Sequence, residues 1–437
     1  MRRPEPALLA SRLHAARPLR VQGRVVRLTG LVLEAALPGV RAGEVVTVEA
    51  EPGSVRAEVV GFTEERVRLL PFGELRGVGP ESRVTSDGER FSVRVGEGLV
   101  GRVLDGLGRP LDGRPLPGTG LEAWEVDRDC PPPATRACIE RPLPLGIRCI
   151  DALVTLGEGQ RLGVFAGPGV GKSTLLGQAA RAAAADVAVI GLIGERGREL
   201  REFLDDALGE EGLRRSVVVC ATSDQPALVR LKAAFVATAI AEWFREQGAS
   251  VLFLLDSITR AARAQREVGL AAGEPPVRHG YPPSVFSLLP RLLERTGNSE
   301  RGRCTALYAC LVPGGDLDEP IADEVRSILD GHLVLSRAVA ERDQWPAVDV
   351  LQSLSRVMPR VTTPAHRTLA ARLRRLLAAH ESNRDLILLG AYRAGSDPWT
   401  DEALRREDGI RDFLRQSPGE RAPFDETLAR LEAVLAG

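Results

Sequence analysis

The stretch Ala166-Gly-Pro-Gly-Val-Gly-Lys-Ser-Thr174 constrains the fold more tightly than any other part of this 437-residue sequence. The apolar run over residues 162–166 precedes it and predicts a buried strand, and the pattern over residues 173–184 predicts a helix. The spacing is that of a P-loop, in which backbone N–H groups and the N-terminus of a helix surround phosphate oxygens. The sequence therefore predicts a strand–loop–helix unit that binds a nucleoside triphosphate.

The P-loop departs from the strict pattern at its first position, where Ala166 replaces the usual glycine. Three glycines remain in the loop and leave its backbone free to approach phosphate. We expect Lys172 to bridge the β- and γ-phosphates and the Ser173 hydroxyl to bind Mg²⁺. The residues predicted to bind the nucleotide are Gly167, Pro168, Gly169, Val170, Gly171, Lys172, Ser173 and Thr174.

Two further carboxylates follow predicted strands. Asp256 ends the apolar run 250–256, and we expect it to position Mg²⁺, as a second acid does in P-loop enzymes. Glu195 lies just after the predicted strand 187–193. Open α/β sheets bind ligands at the carboxyl ends of their strands, so Glu195 is a candidate to polarise an attacking water. From the residues alone, a surface cluster of salt bridges over 194–199 is the alternative.

The rest of the chain falls into regions of different composition. Residues 19–90 contain short β-rich runs separated by Gly and Pro, which predicts a small β-barrel or sandwich. After a Pro-rich connector over 131–144, strands and helices alternate from about 145 to 340, as in a largely parallel sheet covered on both faces. Beyond about residue 361 the sequence is helical, and residues 1–18 carry a short helical pattern.

Composition argues against several classes of protein. The formal net charge of −1 gives no basic field that would attract nucleic acid or anionic lipid. No apolar run approaches the roughly 20 residues that a membrane span needs. The N-terminus has two arginines but lacks the apolar segment and cleavage site of a secretory signal. The six cysteines form no CxxC pair, which favours incidental thiols in a reducing compartment over a metal site. We therefore expect a cytoplasmic protein.

The order of the motifs resembles that of the catalytic subunits of rotary ATP synthases and, more closely, of the ATPases of type III secretion. The stretches that carry the resemblance are 101–112, the P-loop, 194–196, 256–260, 280–286, 323–332, 346–350 and 353–358. The resemblance covers roughly residues 20–415. It implies an α/β fold with three domains: an N-terminal helix and oligomerising β-barrel (1–90), a RecA-like ATPase domain with the P-loop (91–360) and a C-terminal helical domain (361–437).

The resemblance also assigns roles to single residues. Glu195 matches the catalytic glutamate of the family. Arg196 and Arg260 match arginines near the phosphates, although both fit structural ion pairs equally well. Arg356 matches an arginine that reaches into the site of the neighbouring subunit as an arginine finger. Trp345 takes the position of an adenine-stacking aromatic, usually Tyr or Phe in the family, with a buried core tryptophan as the alternative.

In function, the resemblance implies a Mg²⁺-dependent ATPase that works as a homohexamer with ATP between subunits. Hydrolysis would release chaperones and unfold export substrates at the cytoplasmic face of the inner membrane. The implied partners are a central stalk protein, a peripheral stator protein, chaperone–substrate complexes and an export gate in the inner membrane, with no nucleic acid. The stretch Leu37-Pro-Gly-Val-Arg-Ala-Gly-Glu44 favours the injectisome branch over the flagellar one.

Two rival readings and one segment stay open at this stage. A ring-shaped RNA translocase of the Rho type would need aromatic platforms in its N-terminal domain, and residues 19–90 offer only Phe62 and Phe72. A non-catalytic regulatory subunit should lack the P-loop lysine or Glu195, and this chain has both. The segment 267–279 is either a loop facing a central channel, as the resemblance implies, or a plain connector.

Overall fold

The computed structural model describes residues 20–63 and 65–436. The helical pattern predicted over residues 1–18 lies outside the described residues. The chain divides into two compact units. The first contains the residues up to Ser92 together with Gln225–Val229 and Ala264–Pro283, and the second contains the remainder.

Six antiparallel strands of the first unit close into a barrel in the order β1-β2-β5-β4-β3-β6. The strands are β1 Val21–Thr29, β2 Val32–Ala36, β3 Glu44–Glu49, β4 Ser54–Thr63, β5 Arg66–Pro71 and β6 Arg83–Arg90. Alternate side chains such as Val46 and Val48 fill the interior, and closure leaves no sheet edge to protect. At Gly23 the strands approach so closely that a Cβ would stand 2.0 Å from the carbonyl oxygen of Ala36. Because the six strands close on themselves, the first unit contains a barrel and not a sandwich.

Part of the segment 267–279 packs on this barrel within the first unit. The guanidinium of Arg68, in β5, donates a 2.7 Å hydrogen bond to the carbonyl oxygen of Ala272. Further along, the side chain of Val277 is 61% exposed. The segment is thus tied to the barrel on one side and open to solvent on the other, and its place in a central channel stays a prediction.

A sheet of eight strands forms the centre of the second unit, in the order β16-β15-β10-β14-β13-β11-β12-β8. Its strands are β8 Arg102–Asp105, β10 Arg161–Ala166, β11 Val187–Glu195, β12 Ser216–Thr222, β13 Ser250–Asp256, β14 Arg303–Leu311, β15 Gly331–Leu335 and β16 Leu354–Ser355. All neighbours pair in parallel except β15 and β16. The remaining two strands, β7 Ser92–Val95 and β9 Glu122–Glu125, form a small separate sheet.

The predicted parallel sheet is confirmed, and the buried runs explain it. Strands β10, β11 and β13 are apolar on both faces, which is what a sheet covered by helices on both sides requires. The sequence patterns did not predict the two edge strands, β8 and β16. Both are short, and neither presents a continuous apolar run.

Helices cover the sheet and build the C-terminal region. They are Arg148–Leu153, Lys172–Ala182, Gly197–Glu202, Gly209–Arg214, Ala227–Glu246, Ile258–Ala271, Pro283–Leu293, Pro320–Ile328, Arg337–Ala340, Met358–Val361, Pro364–Ser382, Arg384–Leu388, Pro398–Arg405, Glu407–Leu414 and Phe424–Ala436. A π-helical turn, Phe203–Leu208, and three 3₁₀ turns, Glu97–Leu99, Pro133–Thr135 and Pro313–Gly315, complete the set. Within the described residues, no helix has the length and hydropathy that crossing a membrane would require.

The C-terminal helices share one hydrophobic core with the sheet. Leu373 and Leu376 on Pro364–Ser382 and Phe413 on Glu407–Leu414 are buried in the same cluster as the strand residues. The region predicted to be helical beyond about residue 361 includes a continuous helical pattern over 400–415, but the structure has two helices there, because Arg406 leaves helical geometry between them. The expected fold, a RecA-like P-loop core with an N-terminal β-barrel and a C-terminal helical region, is confirmed.

One buried ion pair stands out among the contacts of the second unit. Arg295 is 1% exposed, and its guanidinium donates two hydrogen bonds, of 2.7 and 2.5 Å, to the Glu242 carboxylate. A third, of 2.8 Å, goes to the carbonyl oxygen of Val126. Each side chain neutralises the charge of the other. Removing either one therefore leaves a buried charge without its counter-ion.

We expect Arg295→Met to lower the free energy of unfolding by about 3–5 kcal/mol, because Glu242 is left buried without its counter-ion. Adding Glu242→Leu to the same chain should recover most of that loss, since the second buried charge then disappears too. Urea unfolding followed by circular dichroism measures both. A double variant no more stable than the single one would contradict this account of the pair.

Candidate active site

The P-loop joins the end of β10 to the helix Lys172–Ala182. Gly169 and Gly171 have φ of 77° and 78°, a left-handed conformation in which a side chain would be strained. Ala166 is the last residue of β10 and is completely buried. The first position of the motif therefore lies inside the strand and needs no glycine here, which explains the departure from the strict pattern.

Lys172 lies between two carboxylates at the carboxyl edge of the sheet. Its Nζ forms an ion pair with Asp256, at the end of β13, and stands 3.8 Å from Oε1 of Glu195, at the end of β11. All three side chains are almost buried, at 12%, 3% and 12% exposure for Lys172, Asp256 and Glu195. Lys172, Glu195 and Asp256, which span 84 positions of the chain, thus form one charge cluster in contact with the P-loop.

Glu195 is held from one side only. Its Oε2 accepts a 2.9 Å hydrogen bond from Nη2 of Arg260, whose Nη1 also donates to the carbonyl oxygen of Gly194. Its Oε1 is buried and has no hydrogen-bond partner among the described residues. A buried acceptor that lacks a donor is costly unless something else supplies one, so this oxygen is suited to bind a water or a ligand group.

The electrostatics of Glu195 favour a group that can take up a proton. Burial raises its pKa to about 7, and the nearby carboxyl groups of Glu199 and Asp256 act in the same direction. The positive charges of Lys172 and Arg260 oppose the rise without cancelling it. A carboxylate whose pKa is near neutrality is well matched to general base catalysis.

The donors around the P-loop fit Mg²⁺ better than a metal held by protein alone. Among the described residues no group of three or more His, Cys, Asp or Glu side chains is arranged to hold a metal ion. Mg²⁺ keeps several waters and is usually bound by one or two protein groups plus the phosphates of a substrate. The exposed Ser173 hydroxyl, next to Lys172 in the sequence, and the Asp256 carboxylate, in ion-pair contact with Lys172, are donors of this kind.

A cavity of about 710 Å³ opens beside the P-loop, on the side of Thr174. Its lining residues are Gly169, Gly171, Thr174, Leu175, Gln178, Asp343, Trp345, Pro346, Arg415, Gln416, Ser417, Pro418 and Glu420. A volume in this range holds a nucleotide-sized ligand. The cavity shares the P-loop residues Gly169 and Gly171 in its lining, whereas Lys172, Glu195 and Asp256 do not line it.

Trp345 forms one wall of this cavity. Its side chain is 38% exposed, so the alternative of a buried core tryptophan is wrong. A Cβ built on Gly171 would stand 2.9 Å from Cζ3 of its ring, which places the indole directly against the P-loop. The ring is therefore positioned to stack on a base, and that role stays a prediction.

The opposite wall, residues 415–420, was not expected from the sequence. One helical pattern ends near 415 and another begins near 425, and the resemblance ends near 415 as well. The cluster Gln416-Ser-Pro-Gly-Glu420 is a turn signal that interrupts the helical region and could have drawn attention to this segment. In the structure the backbone N–H of Gln416 donates a 2.8 Å hydrogen bond to the carbonyl oxygen of Trp345, which joins the two walls.

The remaining predicted residues lie outside the cluster around Lys172. Arg196 is largely exposed, and its guanidinium forms a 3.2 Å ion pair with Glu199. This is the structural ion pair that the sequence left as the alternative for Arg196. Arg356 follows β16, and its backbone N–H donates to the carbonyl oxygen of Asp330 at 3.0 Å. Its side chain is exposed and forms no hydrogen bond or ion pair with any residue that the structure describes.

Family models match the chain in three consecutive segments. The ATP synthase alpha/beta family matches with its beta-barrel domain at residues 25–88 and with its nucleotide-binding domain at residues 146–355. The T3SS EscN ATPase C-terminal domain matches residues 362–433. The three models together follow the barrel, the sheet and the C-terminal helices described above.

Individual relatives are similar over nearly their whole length. The chain is 51% identical to a flagellum-specific ATP synthase of Bacillus subtilis, with 94% of each chain covered. It is 52% identical to a type 3 secretion system ATPase of Xanthomonas euvesicatoria, with 95% of this chain and 94% of the relative covered. Among solved structures, the assembled ATPase EscN of the enteropathogenic E. coli type III secretion system superposes with a TM-score of 0.89 at 45% identity, over 94% of this chain and 100% of EscN.

The raised pKa of Glu195 predicts a stability change of definite sign. Below about pH 4.5 the carboxyl is protonated in both the folded and the unfolded chain, and above about pH 7 it is charged in both. Between these values only the folded chain keeps the proton, so the contribution of Glu195 to stability falls as pH rises through this window. Glu195→Gln should therefore raise the thermal midpoint of the nucleotide-free protein at pH 8 and change it little near pH 4.5.

The matched control for that experiment is Glu199→Gln. The neighbouring Glu195 carboxyl and Arg196 lower the pKa of Glu199, so its own charge favours the folded state and removing that charge should not stabilise the protein at pH 8. Differential scanning fluorimetry of both variants at the two pH values measures the difference. A Glu195→Gln protein less stable than wild type at pH 8 would show that the buried carboxylate is stabilised when charged.

Proposed function

Since the chain belongs to the ATP hydrolases of type III secretion and flagellar export, within the ATP synthase alpha/beta family, we propose that it acts as a homohexameric ring that couples Mg²⁺-dependent hydrolysis to chaperone release and unfolding of export substrates. ATP is its substrate. The observation that carries the catalytic part of the proposal is the cluster of Lys172, Glu195, Asp256 and Arg260 at the carboxyl edge of the sheet, beside the P-loop.

Lys172 acts as the charge clamp of the reaction. Its ammonium forms an ion pair with Asp256 and lies near Glu195, so residues of its own chain fix its position. The β- and γ-phosphates take over this neutralising role when ATP enters the P-loop. Positioning and charge stabilisation supply most of the catalysis in phosphoryl transfer, and a preset cation costs little reorganisation.

Ser173 and Asp256 hold Mg²⁺ in this proposal, directly or through water. When bound, the ion neutralises charge on the phosphate oxygens and helps to orient them. The protein contributes a hydroxyl that is exposed at the start of the P-loop helix and a carboxylate that is fixed by Lys172. These two side chains bring one negative charge to the site, which suits an ion that arrives together with a polyphosphate.

Glu195 polarises the attacking water. Its free Oε1 is the acceptor for the water proton, and Arg260 holds the other carboxylate oxygen so that Oε1 keeps its direction. Arg260 is thus a positioning residue for Glu195 as well as a cation near the phosphates. Arg196 lies one residue beyond Glu195 and is exposed, which leaves it free to approach the phosphate end once nucleotide is bound.

Arg356 completes the site of a neighbouring subunit as an arginine finger. Two features support this assignment: the guanidinium is exposed without a described partner, and it takes no part in the cluster around Lys172 of its own chain. A charge that serves its own loop would be expected to pair within the chain. In a ring, the finger of one subunit and the P-loop of the next form one catalytic unit.

The domain roles follow the same proposal. The barrel domain (1–90) holds the ring together, the ATPase domain (91–360) hydrolyses ATP, and the C-terminal helical domain (361–437) meets partners. Exposed apolar side chains on the barrel, among them Leu28, Leu31 and Phe62, support its part in subunit contacts. The solved relative EscN is described as an assembled ATPase.

The partners and the place of action are proposed from relatives and from the resemblance. EscN has been solved in complex with its central stalk EscO, and the superposition with that chain has a TM-score of 0.88 at 45% identity. We assign this chain a central stalk partner of the same kind, together with a peripheral stator, chaperone–substrate complexes and an export gate. The ring would work at the cytoplasmic face of the inner membrane. No nucleic acid takes part.

Within the family, we favour the injectisome branch on the stretch 37–44. The flagellar branch is the second candidate, because the relative from B. subtilis is a flagellum-specific enzyme at 51% identity, close to the 52% of the secretion enzymes. The neighbouring genes distinguish the two: injectisome ring and needle genes favour the first, and flagellar hook and rod genes the second.

The catalytic proposal predicts that Lys172→Arg lowers kcat about 10²–10³-fold, because a planar guanidinium cannot replace a compact ammonium in the loop. Lys232, the only other lysine of the chain, provides the matched control, and Lys232→Arg should hydrolyse ATP normally. Glu195→Gln should bind ATP and lose about 10²–10⁴-fold in turnover, as loss of a general base does. Phosphate release at saturating Mg-ATP measures all three. Normal turnover by Lys172→Arg or Glu195→Gln removes that residue from the mechanism.

The finger proposal predicts that Arg356→Ala keeps its affinity for ATP while turnover falls about 10³–10⁵-fold. Arg360→Ala, at another exposed arginine four residues on, is the matched control and should be active. Mixing Arg356→Ala subunits with Lys172→Ala subunits should restore hydrolysis, because some interfaces then pair an intact finger with an intact P-loop. The subunits are mixed at equimolar ratio and phosphate release is followed.

Two results would contradict a finger that acts between subunits. One is near-normal turnover by Arg356→Ala alone. The other is a covalently linked pair of subunits that joins the two mutants, carries one intact interface and remains inactive. The linked pair is needed because a freely mixed ring is also inactive if hydrolysis at one interface requires all the other interfaces to be intact.

A further inference from the structure

Arg148 is a buried arginine whose side chain serves a single segment of the chain. It begins the helix Arg148–Leu153 and is 4% exposed. Its Nε donates a 3.0 Å hydrogen bond to the carbonyl oxygen of Phe413, and its two terminal nitrogens contact the carbonyl oxygen of Arg415 and the carboxylate of Glu420. One guanidinium therefore binds three acceptors that lie within eight residues of one another, from the last turn of the helix Glu407–Leu414 into the irregular turn that follows it.

Gln416 connects the same turn to the backbone of Arg148 and of Gly146, two residues before it. Its Oε1 accepts a 2.8 Å hydrogen bond from the N–H of Arg148, and its Nε2 donates to the carbonyl oxygen of Gly146 at 2.7 Å. A further hydrogen bond of 2.9 Å runs from Nε2 to the carbonyl oxygen of Glu420. The turn that carries Gly146 is itself fixed, because the buried Asp151 carboxylate accepts the N–H groups of residues 145–147.

These contacts determine the shape of the cavity beside the P-loop. Residues 415–418 and 420 line it opposite Gly171 and Trp345, whereas Arg148 does not line it. The Gln416 N–H holds the carbonyl oxygen of Trp345, and Nε2 of Gln178, on the P-loop helix, donates to the carbonyl oxygen of Glu420 at 3.3 Å. Without the guanidinium, residues 413–420 would lose the four hydrogen bonds that it donates to three acceptors.

We propose that Arg148 is a positioning residue that builds the base half of the nucleotide site by holding residues 413–420 against the P-loop and Trp345. The inference rests on the proposed function in that it takes this cavity as the site of the base. Arginine is required because its planar fork reaches carbonyl and carboxylate acceptors at the same time, whereas lysine offers one point of attachment. The phosphate half of the site depends on the P-loop amides and Lys172, which Arg148 does not contact.

This division gives a test that does not depend on hydrolysis. Arg148→Lys in the full-length protein should weaken binding of Mg-ADP about tenfold or more, because several charge-assisted hydrogen bonds are lost from the wall that contacts the base. Binding of Mg-tripolyphosphate, which has phosphates and no base, should change less than twofold. In steady-state assays KM for ATP should rise about as much as the dissociation constant of ADP, and kcat should stay within about twofold. Titration calorimetry and phosphate release supply these values.

Arg374 provides the matched control variant. It lies on the C-terminal helix Pro364–Ser382, and its guanidinium also donates to carbonyl oxygens of the core, those of Leu153, Leu351 and Ser353 at 3.2, 3.4 and 3.0 Å. None of these acceptors belongs to the cavity wall. Arg374→Lys should lower the thermal midpoint and leave the affinity for ADP unchanged. The comparison separates a general loosening of the C-terminal helices from the loss of one wall.

A second measurement covers the case in which Arg148→Lys does not fold. Hydrogen exchange of the wild-type protein should slow over residues 413–420 when Mg-ADP binds and stay unchanged when Mg-tripolyphosphate binds. The proposal is overturned if Arg148→Lys keeps wild-type affinity for ADP, if it loses ADP and tripolyphosphate binding in parallel, or if ADP leaves exchange over 413–420 unchanged. Failure of the proposed catalytic mechanism would appear elsewhere, as normal turnover by Lys172→Arg or Glu195→Gln.

Discussion

The parallel register of the central sheet is the constraint on which the active site depends. β14 lies between β10 and β13, and it pairs Leu311 with Ala166 and Ala309 with Asp256, so the two strands end within two residues of the same level. β11 pairs Leu192 with Asp256 and continues three residues further, to Glu195. The P-loop and both acids therefore emerge at one edge. A shift of any of these strands by two residues would move an acid by about 6–7 Å and take it out of reach of Lys172.

This arrangement places opposite charges close together in a nearly dry environment. Asp256 and Lys172 neutralise each other directly, and Arg260 does the same for one oxygen of Glu195. The second oxygen of Glu195 has no described donor, and burial raises the pKa of that carboxyl to about 7. The Glu195 carboxyl is thus unfavourable in its charged form. Functional sites commonly reduce the stability of a protein in this way. A water or ligand group at Oε1 relieves that cost.

Local sequence patterns were sufficient for the inner strands of the sheet and for bringing Lys172, Glu195 and Asp256 to one edge of it. Strands β10, β11 and β13 are continuous apolar runs, and Lys172, Glu195 and Asp256 stand at positions fixed by their distance from the ends of those runs. Edge strand β8 escaped prediction because it is four residues long. The break at Arg406 escaped because propensity continues through it. The wall at 415–420 escaped for a different reason: two of the four hydrogen bonds from the Arg148 guanidinium go to carbonyl oxygens, which every residue type possesses.

The phosphate half and the base half of the nucleotide site therefore differ in the sequence separation of the residues that form them. The phosphate half is one loop, and its conformation is set by two glycines and the helix that follows. The base half joins Trp345 to a turn more than 260 residues away from its anchor, Arg148. The two halves nevertheless share one hydrophobic core, because Phe413 and Leu414, just before the turn, belong to the same buried cluster as Ala166 and Val170. The turn and the P-loop are therefore supported by the same packing, although they are far apart in the chain.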